Sequence, residues 1–325
     1  MSKNKNTVST TSTGCKIYNI AGKLKLFVII SSLFIIATIV AAIVLKPEIA
    51  IEFKGGTIIT YTYTGDLDTN TVKPEVEKIL NTPVKIYQGD SLGNEIGTEA
   101  THTFSISYSY DSKLTDEIKN SITEAVKTAY PDNNIGDLAD ATDVSATSGR
   151  EFFLKCFCAL GLATILLIIY IAWRFKRISG WSAGVVAIMA LVHDSIAVFA
   201  TFVVCGFEID SNFMAVVLTI LGYSVNDTIV IYDRIRENRS LMPKASVAEL
   251  LNISTSQSIT RSLRTAITTI AAMSVVCILA MVYNLDSILS FAFPLIIGMI
   301  SGTYSSVCLA PSVWAWWQQR KEKKN

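Results

Sequence analysis

Six apolar runs constrain this chain more than any other feature: Leu26 to Leu45, Phe152 to Ala172, Trp181 to Val204, Phe213 to Tyr232, Thr265 to Tyr283 and Phe291 to Trp314. A bilayer core is roughly 30 Å thick and an α-helix rises about 1.5 Å per residue, so about twenty apolar residues span it. Such runs predict a polytopic bundle of transmembrane helices, the one architecture here that satisfies its backbone groups inside lipid. Composition agrees. Of 325 residues 50% are hydrophobic and 17% charged, with a mean hydropathy of +0.42, where a soluble domain has about a quarter charged. This excludes a disordered chain and argues against an ordinary soluble enzyme.

The net charge of +1 conceals an asymmetry that orients the bundle. Residues 1–25 hold five lysines and no acid, and Arg174, Lys176 and Arg177 stand alone between the second and third runs. From Asp233 to Arg264 there are six basic and three acidic residues, and the end carries Arg320, Lys321, Lys323 and Lys324 against Glu322. On the other side, Lys46 to Glu151 has nine basic and eighteen acidic side chains, and the short loops hold only Glu208, Asp210 and Asp286. The positive-inside rule then predicts both termini in the cytoplasm. The expected organisation is a cytoplasmic segment 1–25, a first helix 26–45, an extracytoplasmic domain 46–151, a five-helix bundle 152–317 and a basic tail 318–325.

The first run could be a cleaved signal peptide, but its twenty apolar residues exceed the usual 7–15-residue core of one, so it reads as an uncleaved anchor. Cys156, Cys158, Cys205, Cys277 and Cys308 lie in or beside apolar runs, Cys15 is on the cytoplasmic side, and the external domain has no cysteine. That domain must fold on its own core, without crosslinks. Its pattern predicts a strand over 56–63, a helix over 71–80, a strand over 84–88 and an alternating strand through Phe104, Ile106, Tyr108 and Tyr110. A second helix capped by Asp111 or Ser112 and ended by Pro131, and a last strand over 138–146, complete the order β-α-β-β-α-β. This is the order of a small ferredoxin-like α+β fold, which by itself says little about activity.

Chemistry is sought where an ionisable group is costly, about 2.5–3.5 kcal/mol at the centre of a span. Two acids qualify: Asp194, beside His193 in the third run, and Asp227, beside Asn226 in the fourth. Thr219, Tyr223 and Asp227 are four apart, and Ala187, Ala190, Asp194 and Ala197 form a small-residue face that admits close helix approach. Arg261 and Arg264 open the fifth span ahead of Thr265, Thr268, Thr269 and Ala272, and Arg261 is the expected partner of Asp227. Gly298, Gly302 and Ser306, shadowed by Ser301 and Ser305, predict a tight helix contact in the sixth. A desolvated carboxylate that meets or leaves an arginine is suited to taking up and releasing protons. The plainer reading of Asp227 is a fixed ion pair that only holds helices together. With His102 the one other histidine, no metal site and no cofactor are expected.

The stretch Gly222-Tyr223-Ser224-Val225-Asn226-Asp227-Thr228, continuing through Asp233, Arg234 and Glu237 to Asn238, closely resembles the signature of the SecF family of bacterial protein-export membrane subunits. Further matches stand in order. Glu52, Phe53, Lys54, Gly55 and Gly56 follow the first run, with Glu where the family usually has Asp and Ala50 where Gly is common. His193–Asp194 matches a pair in the third run; Asn252, Ser254, Gln257 and Arg261 match the approach to the fifth; Gly302 to Ser306 match the sixth. The likeness runs from Leu26 to Trp317, and Arg264 stands off the family position.

The resemblance implies a bundle of the resistance-nodulation-division superfamily in the cytoplasmic membrane, paired with a SecD-like partner subunit. It implies use of the proton gradient to complete export of unfolded polypeptides through the SecYEG channel after the ATPase SecA has acted, with no nucleic acid involved. A proton-conducting role carries over to Asp227 and Arg261, with Asn226, Asp194 and His193 beside them as relay candidates, while Gly222, Gly298, Gly302 and Ser306 are packing candidates. Two alternatives come from other classes. An intramembrane aspartic protease would need Asp194 and Asp227 to share a proton, but the Gly-x-Gly-Asp pattern of that class is missing before Asp227. A passive structural or receptor subunit would conduct nothing.

Overall fold

The structure, a computed structural model, describes residues 17–64, 69–90, 101–109, 115–131, 135, 138–283 and 285–323. Cys15, Tyr110 and the expected helix caps Asp111 and Ser112 lie outside the described residues.

Six helical stretches are long and apolar enough to cross a membrane. They are α1 (Leu24–Leu45), α5 (Ala146–Arg174), α6 (Gly180–Cys205), α7 (Ser211–Leu241), α8 (Val247–Val282), and α9 (Asp286–Tyr304) continued by a π-helical turn (Ser305–Leu309) into α10 (Ala310–Glu322). Between α1 and α5 come a one-turn helix α2 (Ile51–Lys54), β1 (Gly56–Thr64), α3 (Thr69–Leu80), β2 (Val84–Asp90), β3 (Thr101–Tyr108), α4 (Asp116–Ala129) and β4 (Leu138–Val144). The chain is thus a mostly helical, multi-pass membrane protein.

The helices differ in how much they bury, and composition explains why. α1 and α5 are apolar on every side and sit at the edge of the bundle, where α1 buries only Ser31 and Thr38. α6 and α7 are interior and bury their small and polar faces, among them Ala183, Ala187, Ala190, Asp194 and Ala197 on α6. Close approach through small residues is what drives helix association in lipid, where apolar surface gains little by leaving the solvent.

Among the described residues, three helix starts have side-chain caps. Ser145, Asp210 and Ser246 accept from the N–H groups of Ser148, Phe213 and Glu249 at 3.2, 3.0 and 3.3 Å. Such caps satisfy donors that the first turn leaves free. α7 and α8 run well past their apolar segments, because the polar stretch between Asp233 and Arg264 continues both helices. There Asn238 donates to Ser254 Oγ and Gln257 Oε1, each at 2.9 Å, and Arg234 Nε donates to Gln257 at 2.6 Å. Asn252 Oδ1 accepts from the N–H groups of Ile20 and Ala21, both at 2.9 Å, tying the chain ahead of α1 to this extension.

The π turn has a local cause. Pro311 offers no N–H to the carbonyl four residues earlier and its ring crowds that group. Ahead of it the helix widens, so that the Ala310 N–H reaches the Ser305 carbonyl. One consequence is that the consecutive Ser305 and Ser306 are both fully buried.

The segment between α1 and α5 forms one antiparallel sheet in the order β2-β3-β1-β4. β1 pairs β3 with Tyr61 opposite Phe104 and Ile59 opposite Ile106, and these side chains pack with Val72, Val76, Ile122 and Val126 from α3 and α4. Strand alternation and helical spacing both follow the expected pattern. α4 starts later than its proposed caps, with Thr115 in the extended position before it. The last strand ends at Val144 because Ser145 caps α5.

Candidate functional site

Asp194 is the most enclosed charged side chain of the bundle, with 0% exposure. Its Oδ2 accepts from Ser224 Oγ and Ser305 Oγ, both at 2.7 Å, and its Oδ1 accepts from Ser301 Oγ at 2.8 Å. His193 Nδ1 stands 3.3 Å from Oδ1, and its ring lies 5.9 Å from those of both Phe34 and Tyr304. The network extends outward: Ser306 Oγ donates to the Ser224 carbonyl at 3.0 Å, and Thr228 Oγ1 donates to Ser306 Oγ at 3.1 Å. Bonds to a charged group contribute about 1.5–3 kcal/mol each, so three hydroxyls offset an insertion cost of about 2.5–3.5 kcal/mol. Asp194 is a satisfied junction of α6, α7 and the sixth span.

Small residues make that junction reachable. A Cβ on Gly302 would stand 3.4 Å from Ser224 Cβ and 3.7 Å from Asp194 Oδ2, and one on Gly298 would meet Ile220 Cγ1 at 2.7 Å. Ser224, Ser301 and Ser305 were not expected as donors to the carboxylate. Their signal was the serine-rich face of the sixth span, set opposite the one acid of the third.

Asp227 is held differently. It is 3% exposed, and its Oδ2 is sealed from solvent without a hydrogen-bond partner. Ser262 and Arg261 on α8 are its polar neighbours. No ion pair joins Asp227 to Arg261 among the described residues, which corrects the expected pairing. The reason is helical phase. Ser258, Ser262 and Ala266 face inward on α8, while Arg261, Arg264, Thr265 and Thr268 are exposed. The hydroxyls of Thr265, Thr268 and Thr269 donate to carbonyls of their own helix. One turn from Asp227, Tyr223 Oη is also buried without a hydrogen bond, as is Ser262 Oγ.

Asn226 and Gly222 do not join either cluster. Both are exposed, four apart on the outward face of α7 with Thr219, and nothing lies within 4 Å of a Cβ built on Gly222. Within this chain Gly222 packs against nothing, contrary to the expected helix contact, because the fourth span turns its small residue outward and its serine inward. Asp194, on α6, meets the face of α7 that carries Ser224, not the one that carries Asp227, and the two carboxylates share no hydrogen bond, so the geometry of an aspartic dyad is not formed. Among the described residues no three His, Cys, Asp or Glu side chains cluster as metal ligands.

Glu52 and Phe53 belong to α2, and Gly55 and Gly56 lead from it into β1. Glu52 Oε2 accepts from the Ser211 N–H at 3.2 Å, at the start of the helix that carries Asp227. Of the residues before the fifth span, Asn252, Ser254 and Gln257 make the bonds between the helix extensions described above, and Arg261 stands apart from them.

Known proteins agree with this architecture. Residues 121–320 match the family described as protein export membrane protein SecD/SecF, C-terminal. The chain is 31% identical over 304 residues to the protein translocase subunit SecF of Petrotoga mobilis, covering 93% of this chain and 96% of that one. It is 31% identical over 268 residues to SecF of Pseudomonas aeruginosa, covering 82% and 80%. Against the protein translocase subunit SecDF of Bacillus subtilis it is 29% identical over 311 residues, covering 95% of this chain and 39% of that one. The crystal structure of SecDF from Thermus thermophilus, described as a translocon-associated membrane protein, superposes with a TM-score of 0.72 at 25% identity over 93% of this chain. The chain spans 39% of that structure's length, so it corresponds to nearly all of a SecF and about two fifths of a SecDF. By this coverage, the chain belongs to the SecD/SecF family of protein-export membrane proteins.

Proposed function

We propose that this chain is the SecF subunit of a Sec translocase accessory complex, in which it couples the proton gradient to late steps of protein export. The observation that carries the reading is the contrast between the two membrane carboxylates. Asp194 is enclosed by three hydroxyl donors, whereas Asp227 keeps a buried oxygen with no partner. A satisfied carboxylate has little to gain by changing state. An unsatisfied one with an exposed arginine nearby is suited to load and release a proton as α7 and α8 shift. One charge crossing the membrane releases roughly 2.3 kcal/mol per 100 mV, enough to bias a two-state packing.

In this reading both termini are cytoplasmic, and residues 46–151 form an extracytoplasmic ferredoxin-like domain that restrains the emerging unfolded polypeptide. Residues 152–317 form the five-helix remainder of the bundle, and 318–325 a basic tail. The outward face with Gly222, Asn226, Arg261 and Arg264 would meet a SecD-like partner's bundle, which would bring Arg261 towards Asp227. Asp194, His193 and Asn226 would then act around that site rather than as its loading group. The SecYEG channel supplies the substrate, and the subunit catalyses no bond chemistry.

The test is Asp227→Asn in membrane vesicles with the partner subunit present. The expected result is normal assembly with loss of gradient-dependent export and of proton flux. Unchanged export with full incorporation would refute the proposal. Arg261→Ala is expected to block export likewise, and a variant pair in which Arg261→Ala restores export to Asp227→Asn would instead establish a fixed ion pair.

A further inference from the structure

We infer that the segment Glu52–Gly56 is a rigid joint that fixes the sheet domain to the Asp227 helix, with Glu52 as its positioning residue. This rests on the function proposed above and adds the element through which movement of α7 would reach the domain.

α2 is wedged between two helix starts. On one side Glu52 Oε2 accepts from the Ser211 N–H at 3.2 Å, beside Asp210, which caps the same helix. On the other side it meets the start of α5. Phe53 packs on Phe152 and Phe153 at ring distances of 5.5 and 5.1 Å, and a Cβ on Gly149 would stand 2.9 Å from the Phe53 carbonyl oxygen. Only a residue without a side chain allows that approach. Leaving α2, Gly55 adopts φ +84°, and a Cβ on Gly56 would stand 2.5 Å from the Tyr108 carbonyl oxygen, so α2 enters β1 directly against β3.

A second set of bonds braces the same corner. The Ile209 N–H donates to the Glu48 carbonyl at 2.8 Å, and the Ala50 N–H donates to the Ile209 carbonyl at 3.0 Å, a short parallel bridge between the chain ahead of α2 and the loop ahead of α7. Lys85, on β2 of the sheet, pairs with Glu208 of that loop at 2.7 Å and also with Glu48. The start of α7 is thus held by the sheet domain through backbone, carboxylate and ammonium at once. Among these contacts the Glu52 bond alone ties α2 to the helix itself. α7 runs continuously from Ser211 to Asp227, so a shift at the carboxylate displaces the Ser211 end, and the joint passes that displacement to the sheet.

The experiment uses the full chain with its partner subunit in vesicles, on a background whose native cysteines are replaced. Spin labels at Asn120→Cys on α4 and Tyr283→Cys at the far end of α8, both exposed positions, report the distance between domain and bundle. Glu52→Ala is expected to broaden that distance distribution at least twofold. It should lower gradient-dependent export at least fivefold while more than half of the Asp227-dependent proton flux persists. Glu52→Gln keeps an oxygen that can accept from Ser211, and should restore both the narrow distribution and export. An unchanged distribution in Glu52→Ala overturns the inference, as does a broadened one with full export or a Glu52→Gln variant no better than alanine. If the unsubstituted protein shows no gradient-dependent export, the proposed function fails. The distance measurement still decides whether Glu52 sets the domain's position.

Discussion

Ser224, on the helix that carries Asp227, donates a 2.7 Å hydrogen bond to the fully buried carboxylate of Asp194 on the neighbouring span. Ser224 and Asp227 are three positions apart, yet the two face different helices. One side of α7 is locked into a satisfied polar network with α6 and the sixth span. At the level of Asp227 the other meets α8 with Asp227 Oδ2 and Ser262 Oγ buried and without hydrogen-bond partners.

The locked side predicts a large stability effect. Asp194→Ala strips the acceptor from Ser224, Ser301 and Ser305, and each buried donor left unmade costs about 1–3 kcal/mol. Ser305 recovers part through the bond it already shares with the Gly302 carbonyl. A drop of roughly 5 °C or more in the melting temperature of the purified protein is expected, with a smaller one for Asp194→Asn, whose amide keeps one acceptor. Equal melting of Asp194→Ala and the unsubstituted protein would show that the network stabilises nothing.

The open side predicts the reverse. Asp227 Oδ2 has no hydrogen bond to lose, so Asp227→Asn should leave the melting temperature within about 2 °C or raise it, because a neutral amide in the same place costs less to desolvate than a carboxylate. Thermal unfolding of both asparagine variants in one detergent compares the sites directly. A strongly destabilised Asp227→Asn would mark Asp227 as a structural pair after all.

Glycine spacing gives a third contrast. Gly298→Ala would drive a Cβ into Ile220 and Val198, at 2.7 and 3.0 Å, and overpacking of this kind costs about 1–3 kcal/mol. Gly222→Ala meets nothing and should be neutral or gain up to about 1 kcal/mol of helix propensity. Melting of the two variants should therefore move in opposite directions or differ by several degrees.

Much of this was readable from the residues because the physics is periodic. Runs of twenty apolar residues can only be spans, and Phe104, Ile106 and Tyr108 could only face one side of a strand. Asp194 and Asp227 stood out as the costly acids. What periodicity could not show was phase between helices. Arg261 was expected to pair with Asp227, yet α8 turns Ser262 inward beside the carboxyl and leaves Arg261 exposed, near it but without an ion pair. Gly222 and Gly298 looked alike as small residues and face opposite ways. The partners of Asp194 come from two other helices and a π turn, a geometry set by Pro311 and visible only once the helices are packed. The Glu52 motif was legible as a pattern, but its contact with Ser211 joins residues 159 positions apart.

Asp210 supplies a pH test outside the membrane. Burial raises its carboxyl above the ordinary value near 3.8; the Phe213 N–H works against that shift and the neighbouring Glu52 adds to it. An acid whose native pKa lies above its unfolded one binds its proton more tightly when folded. Its stabilising contribution is therefore fully present below the unfolded value and is lost as pH rises through the native one. At neutral pH the ionised Asp210 thus weakens the native state, apart from its capping bond. Asparagine caps a helix about as well as aspartate and carries no charge. Asp210→Asn should then melt at or above the unsubstituted protein at pH 7, and the difference should shrink towards zero as pH falls from 7 to 4. A variant that melts lower at pH 7, or a gap that widens on acidification, would show that the charge on Asp210 stabilises the start of α7.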